Sequence, residues 1–233
     1  YKYFFILVYN DIYMSKKEYI QIIIDRLKKV YPDAKISLDF TTPFELLVAT
    51  ILSAQCTDKR VNAVTKELFK KYTSIEDYNS IDIKDLEKDI YSTGFYKNKA
   101  KNIKKLAYII TQKYNGKIPS DIGTLITLPG IGRKTANVFL SNYYKKNVGV
   151  IVDTHMIRIT NLLHLAKGSN AVKIEKTLNK IIPQKDYLLF SDLIISLGRD
   201  TCIARFPKCS KCVLSNICPS SKTKKVLTKL EGE

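Results

Sequence analysis

A chain of 233 residues, 45% of them hydrophobic, is long enough to bury a large apolar core in one or two domains. Its 39 Lys and Arg stand against 22 Asp and Glu, a formal net charge of +17, which excludes a charge-balanced surface and makes a polyanion, nucleic acid above all, the leading partner. The apolar opening YKYFFILVYNDIY is interrupted by Lys2, Asn10 and Asp11, falls short of the roughly 20 residues that span a bilayer, and lacks a small-residue cleavage site, so neither an anchor nor a signal peptide is expected.

Ser15 and Glu18 have capping-box spacing, so the globular protein is expected to begin there, with residues 1–14 as an extension. Tyr19, Ile20, Ile23, Ile24, Leu27 and Tyr31 then recur at helical spacing until Pro32 closes the segment. Thr42, Pro43 and Glu45 open a second helix as cap, first turn and dipole partner. Asp58 starts a third, with Val61, Val64, Leu68, Phe69 and Tyr72 on its apolar face. Asp82 opens a short helix that Gly94 ends in a left-handed cap, and a long basic helix runs from Tyr96 to Tyr114, closed by Gly116. Further helices are expected after the LPGIG turn, Asp153, Asn170 and Lys185. Residues 148–152, VGVIV, are the only candidate strand, and one strand makes no sheet. The chain reads as all-α, with short loops, no repeat, and a lysine-rich tail over 221–233.

The stretch LPGIGRKTANVF, residues 128–139, is more specific. A phosphate loop needs four residues between its first Gly and a Gly-Lys-Ser/Thr; here a single residue separates Gly130 from Gly132, and Arg133 precedes Lys134. What remains is a helical hairpin: 122–127 leads into Leu128-Pro129, the glycines turn the chain, and a helix begins near Gly132. Unpaired N–H groups at that helix start suit a phosphate oxygen. The plain alternative is a helix–helix turn without a ligand. Lys134 sits in the first turn, where the helix dipole disfavours an ammonium and favours the neutral amine that can attack an electrophilic carbon.

Asp153, in IVDTHMIRITNLL, follows an apolar run and precedes a helix, which makes it an N-cap. A carboxylate held by helix N–H groups stays ionised and can stabilise positive charge nearby. His155, just inside the helix, reads as structural. In CIARFPKCSKCVLSNIC, Cys202, Cys209, Cys212 and Cys218 are spaced C-x6-C-x2-C-x5-C. Four thiolates within one short loop point to an intracellular, cytoplasmic metal site rather than a secreted disulfide framework, and the spacing alone leaves zinc and a [4Fe–4S] cluster equally open. Arg205 and Lys208 lie between the first two cysteines, and Lys211 follows. Cys56 stands apart as a small buried hydrophobe.

Taken together, PFELLVATILSAQCTD, TGFYKNKAKNI, LPGIGRKTANVFL, VDTHMIRITN and the cysteine loop resemble the endonuclease III family of helix-hairpin-helix, Gly/Pro-Asp DNA glycosylases. The resemblance covers nearly all of residues 15–218. It implies two helical domains flanking a DNA-binding cleft: 36–146 as a six-helix barrel ending with the hairpin, and 15–35 with 147–220 as a cluster domain. It implies a [4Fe–4S] cofactor and a monomer acting on damaged duplex DNA, with the nucleotide flipped out. Lys134 would attack C1′ and form a Schiff base, Asp153 would assist, and β-elimination would cut 3′ to the lesion, an oxidised pyrimidine or an abasic site. Gln55 would fill the gap left by the flipped base. Phe95 stands where the family usually has a leucine that wedges into the opposite strand. Leu128, Gly130, Gly132, Arg133, Arg205 and Lys208 would meet the DNA.

Three rivals remain. An adenine-type glycosylase would carry the cluster and the aspartate but commonly a serine in place of Lys134. A non-catalytic DNA-binding module would need neither Lys134 nor Asp153. A zinc-stabilised structural protein would be colourless, whereas an iron–sulfur protein is yellow-brown.

Overall fold

The computed structural model describes residues 7–9 and 12–224. Of the expected extension, 1–6, 10 and 11 lie outside the described residues, as do 225–233 of the expected tail. Leu7–Tyr9 (β1) and Ile12–Met14 (β2) pair antiparallel, with Leu7 opposite Met14. The remainder is helix and loop, an all-α fold. In chain order the helices are α1 (Lys16–Val30), α2 (Pro43–Leu52), α3 (Asp58–Lys71), α4 (Ile75–Ser80), α5 (Ile83–Asp89) and α6 (Tyr96–Tyr114). They continue with α7 (Ile122–Leu125), α8 (Arg133–Asn142), α9 (Thr154–Leu162), α10 (Ala171–Leu178) and α11 (Tyr187–Asp200). Among the described residues no helix is long and apolar enough to cross a membrane.

Local chemistry explains most of these boundaries. Ser15 and Glu18 cap α1 reciprocally, as Thr42 and Glu45 cap α2, so two otherwise orphaned N–H groups are satisfied at each start. The same device, Ser74 with Asp77, opens α4, a helix the sequence pattern did not reveal. Asn115 and Gly116, at φ 49° and 75°, end α6 in left-handed conformation.

The chain divides into two compact units, Ile36–Lys146 and the pair Tyr1–Lys35 with Asn147–Glu233. In the first, α2 is buried almost all round, with Phe44 and every residue from Leu46 to Leu52 inside, as befits a central helix. Leu68, Leu86, Ile103, Leu106 and Phe139 from the surrounding helices are likewise buried. In the second, Ile23 and Leu27 of α1 share a core with Met156 and Ile159 of α9 and Phe190, Ile194 and Leu197 of α11. Each such side chain contributes about 1.5–3 kcal/mol relative to exposure.

The run 148–152 is not a strand. It pairs with no strand among the described residues, and side chains take up two of its N–H groups: Val150 N–H donates to Asn179 Oδ1 at 3.0 Å and Ile151 N–H to Ser191 Oγ at 3.0 Å. An apolar run with satisfied donors can thread a helical core without a sheet.

Candidate nucleic-acid interface and cysteine loop

The glycine turn is built as its sequence requires. Leu128 is its apolar anchor: the side chain is buried, its N–H donates to Leu125 O at 3.0 Å, and its own carbonyl accepts from Ile131 N–H at 3.1 Å. Leu128, expected to meet DNA, thus keeps its side chain in the core and its N–H within the turn. Gly130 has φ 75°, and a Cβ there would lie 3.1 Å from Asn102 Cβ and 3.2 Å from Ile51 Cδ1, so glycine is required by both conformation and space. Gly132 is the extended N-cap of α8 and is exposed. Among the described residues neither glycine N–H makes a main-chain hydrogen bond. Arg133 and Lys134 form the first turn of α8, Arg133 half-buried and Lys134 exposed.

In the same unit, two other expected contact residues share an unusual backbone. Gln55 has φ 54° and Phe95 φ 50°, both left-handed and neither glycine. Such conformations cost on the order of 1–3 kcal/mol each and persist only where the surroundings impose them. Gln55 lies in the turn between α2 and α3; Phe95 follows Gly94, itself at φ 70°, and begins α6. Both are exposed, Phe95 at 66%, a large apolar side chain held out in water. They line one cleft of about 230 Å³ together with Gly130, Asn102 and Thr135.

Lys99 lines that cleft too, and sequence reasoning missed it. It is 5% exposed, and its ammonium donates to Leu52 O at 2.8 Å and Thr93 O at 2.9 Å. Burial lowers its pKa, against a smaller opposing influence from the nearby Cys56. The signal was present: Lys99 falls in register with buried Ile103, Leu106 and Ile110 on the apolar face of α6.

In the other unit Asp153 caps α9, its Oδ1 accepting from Met156 N–H at 2.8 Å. Its Oδ2 lies 3.0 Å from Nδ1 of His155, and only 15% of the Asp153 side chain is exposed. The His155 ring lies against Gly198 of α11, where a Cβ would meet His155 Cδ2 at 2.7 Å. The histidine is structural in a particular sense: it fixes the second oxygen of the aspartate.

The loop after α11 gathers the four cysteines. Main-chain bonds coil it: Cys202 N–H donates to Leu197 O at 2.7 Å, Lys208 N–H to Thr201 O at 2.9 Å and Cys218 N–H to Leu214 O at 2.8 Å. Leu214 and Ile217 anchor it in the core, and Tyr19 OH and Arg26 Nη1 of α1 donate to its carbonyls. All four thiols are free and half-buried. Burial raises the pKa of Cys202, Cys212 and Cys218, the last to about 11, and the neighbouring thiols push each further in the same direction. Among the described residues no group of three or more His, Cys, Asp or Glu is arranged to hold a metal ion. Arg205 and Lys208 are exposed, Lys208 Nζ standing 3.9 Å from Asp200 Oδ1, and Phe206 beside them is 79% exposed.

Comparison with known proteins gives this arrangement its relatives. Residues 48–184 match the HhH-GPD superfamily of base excision DNA repair proteins. Endonuclease III of Synechocystis is 47% identical over 89% of this chain and 94% of its own length. That of Bacillus subtilis is 41% identical over 88% and 94%, and that of Escherichia coli K12 36% identical over 88% and 96%. A trapped endonuclease III–DNA covalent intermediate, an estranged-adenine complex, superposes with TM-score 0.85 at 43% identity, covering 90% of this chain and 99% of that one. A thermostable thymine-DNA glycosylase, 22% identical with TM-score 0.78, shares the fold. The chain belongs to the HhH-GPD superfamily of base excision DNA repair proteins and, within it, to the endonuclease III family.

Proposed function

We propose that this protein is a base-excision-repair DNA glycosylase and AP lyase acting on oxidised pyrimidines in duplex DNA, with Lys134 as nucleophile and Asp153 as its assisting carboxylate. The observation that carries the reading is Lys134 itself, an exposed lysine in the first turn of α8 directly behind a glycine turn with open N–H groups. The turn binds a phosphate, and the lysine that follows it does the chemistry.

The neutral Lys134 amine attacks C1′ of the flipped nucleotide. The glycosidic bond breaks, and the damaged base leaves with the bonding electrons and takes up a proton. Sugar ring opening gives a Schiff base between Lys134 and C1′. Loss of a C2′ proton and departure of the 3′ phosphate cut the strand, and water then releases the lysine. Asp153 stabilises the cationic character that develops at the sugar and helps the proton transfers. His155 holds its carboxylate in one orientation. Gln55 fills the gap left by the flipped base, and Phe95 wedges into the opposite strand, where its aromatic ring stacks between bases in place of a leucine. Gly130, Gly132, Arg133, Arg205 and Lys208 hold the backbone of the DNA, without base-edge contacts, in the manner of phosphate-directed positioning.

Residues 36–146 are assigned in this reading to the barrel domain and 15–35 with 147–220 to a cluster domain. Cys202, Cys209, Cys212 and Cys218 would hold a [4Fe–4S] cluster. The donor set suits it: four free thiols lie in one coiled loop, and burial makes the thiolates of Cys202, Cys212 and Cys218 costly, a cost that a cationic metal centre relieves. When bound, the cluster cross-links the loop that carries Arg205 and Lys208.

The products test the reading. A duplex with one thymine glycol should yield a strand cut 3′ to the lesion, ending in an unsaturated aldehyde. An intact strand carrying only an abasic site would make the enzyme a monofunctional glycosylase instead.

A further inference from the structure

Two exposed residues in strained backbone line one cleft, and one buried ammonium ties together the segments that carry them. Lys99 Nζ donates to Leu52 O, three residues before Gln55, and to Thr93 O, two residues before Phe95. Its own N–H donates to Phe95 O at 3.1 Å, so the residue grips the Gly94–Phe95 turn from both ends. Leu52 is the last residue of α2, and its carbonyl is one of those a helix leaves without an internal partner; a cation there is also favoured by the helix dipole.

The choice of lysine calls for explanation. Burying an ammonium is costly, and an apolar residue in register with Ile103 and Leu106 would pack the same face of α6 without that cost. What an apolar residue lacks is the pair of directional bonds, one to each segment. A four-carbon stem ending in a fixed donor acts as a strut between the two carbonyls. Neighbouring bonds brace each side: Ser53 Oγ to Thr50 O at 2.9 Å near Gln55, and Thr93 Oγ1 to Ile90 O at 2.8 Å near Phe95.

We propose that Lys99 is a positioning residue that fixes the separation of the Gln55 and Phe95 tips, so that the pair enters the duplex at one set spacing when the lesion is flipped. This rests on the function proposed above and adds a residue that touches neither the lesion nor the reacting atoms. It makes Lys99 matter for duplex DNA alone, because a single strand has no opposite strand to invade.

The test compares native protein with Lys99→Met under single-turnover conditions on two substrates, a thymine glycol duplex and a single-stranded oligonucleotide containing an abasic site. Borohydride trapping on the single strand counts competent molecules. The expected result is at least a tenfold slower cut on the duplex with single-strand cutting retained. A 2-aminopurine opposite the lesion, which brightens when unstacked, should also brighten less with the variant. Equal rates for variant and native protein on both substrates, or an equal loss on both, would overturn the proposal. Lys99→Gln, which keeps a shorter amide donor, should show the same duplex-only loss and serves if Lys99→Met does not fold. A native protein that cuts neither substrate overturns the function reading, and this proposal with it.

Discussion

Nδ1 of His155 lies 3.0 Å from Oδ2 of Asp153, while Oδ1 of the same carboxylate accepts the Met156 N–H at 2.8 Å. A carboxylate accepts, so the imidazole presents its Nδ1 proton, and both oxygens are held by donors from the start of α9. The aspartate is therefore aimed as well as capped. Removing the imidazole in His155→Ala should slow single-turnover base release about tenfold, the worth of one hydrogen bond to a charged group. His155→Asn, which keeps a donor near the same place, should recover most of that rate. Rapid-quench measurement of base release checks both.

Gly198 is the floor on which this pair rests. A methyl group there would meet His155 Cδ2 at 2.7 Å, His155 Cβ at 2.9 Å and Ile159 Cδ1 at 3.0 Å. Gly198→Ala should destabilise the protein by about 1–3 kcal/mol through overpacking, read as a lower thermal midpoint, and should slow base release as His155→Ala does.

Asp192 predicts a pH dependence of stability. Burial raises its pKa to about 6, against the weaker opposing effect of Arg199. A carboxyl raised in the folded state binds its proton more tightly there than in the unfolded chain, so stability falls as pH rises from about 4 to about 6. Above that window both states are ionised and the full cost, on the order of 3 kcal/mol, is present. Asp192→Asn should remove the decline and make the protein more stable at neutral pH, checked by urea denaturation across that range.

Arg205 and Lys208 should reveal themselves through salt. Replacing either with Ala should weaken binding to damaged and undamaged duplex alike and reduce the slope of log affinity against log salt by about one. Fluorescence anisotropy at several salt concentrations measures this.

How much of this was legible beforehand depended on what kind of signal each residue gives. Ser15 with Glu18 and Thr42 with Glu45 announce helix starts, because capping spacing and apolar periodicity agree. Ser74 with Asp77 performs the same function for α4, but an aspartate in a six-residue helix leaves too short a periodic pattern to read. Residues 148–152 looked like a strand because an apolar run carries no period of its own; the partners of its N–H groups, Asn179 and Ser191, are distant in sequence. Lys134, Asp153 and the four cysteines stand out as candidates because they lie in compact motifs. Lys99 is hidden among six lysines of one helix, and only its register with the apolar face marks it as buried.

The central claim is that Lys134 is a nucleophile, and borohydride trapping tests it most directly. Native protein and Lys134→Ala are each mixed with a duplex carrying one thymine glycol, reduced, and resolved by denaturing electrophoresis. The account predicts a covalent protein–DNA adduct with the native enzyme and none with the variant, which should still bind the duplex. Equal adduct from both would place the Schiff base on another amine. No adduct from native protein that binds the duplex tightly would contradict a lysine mechanism altogether.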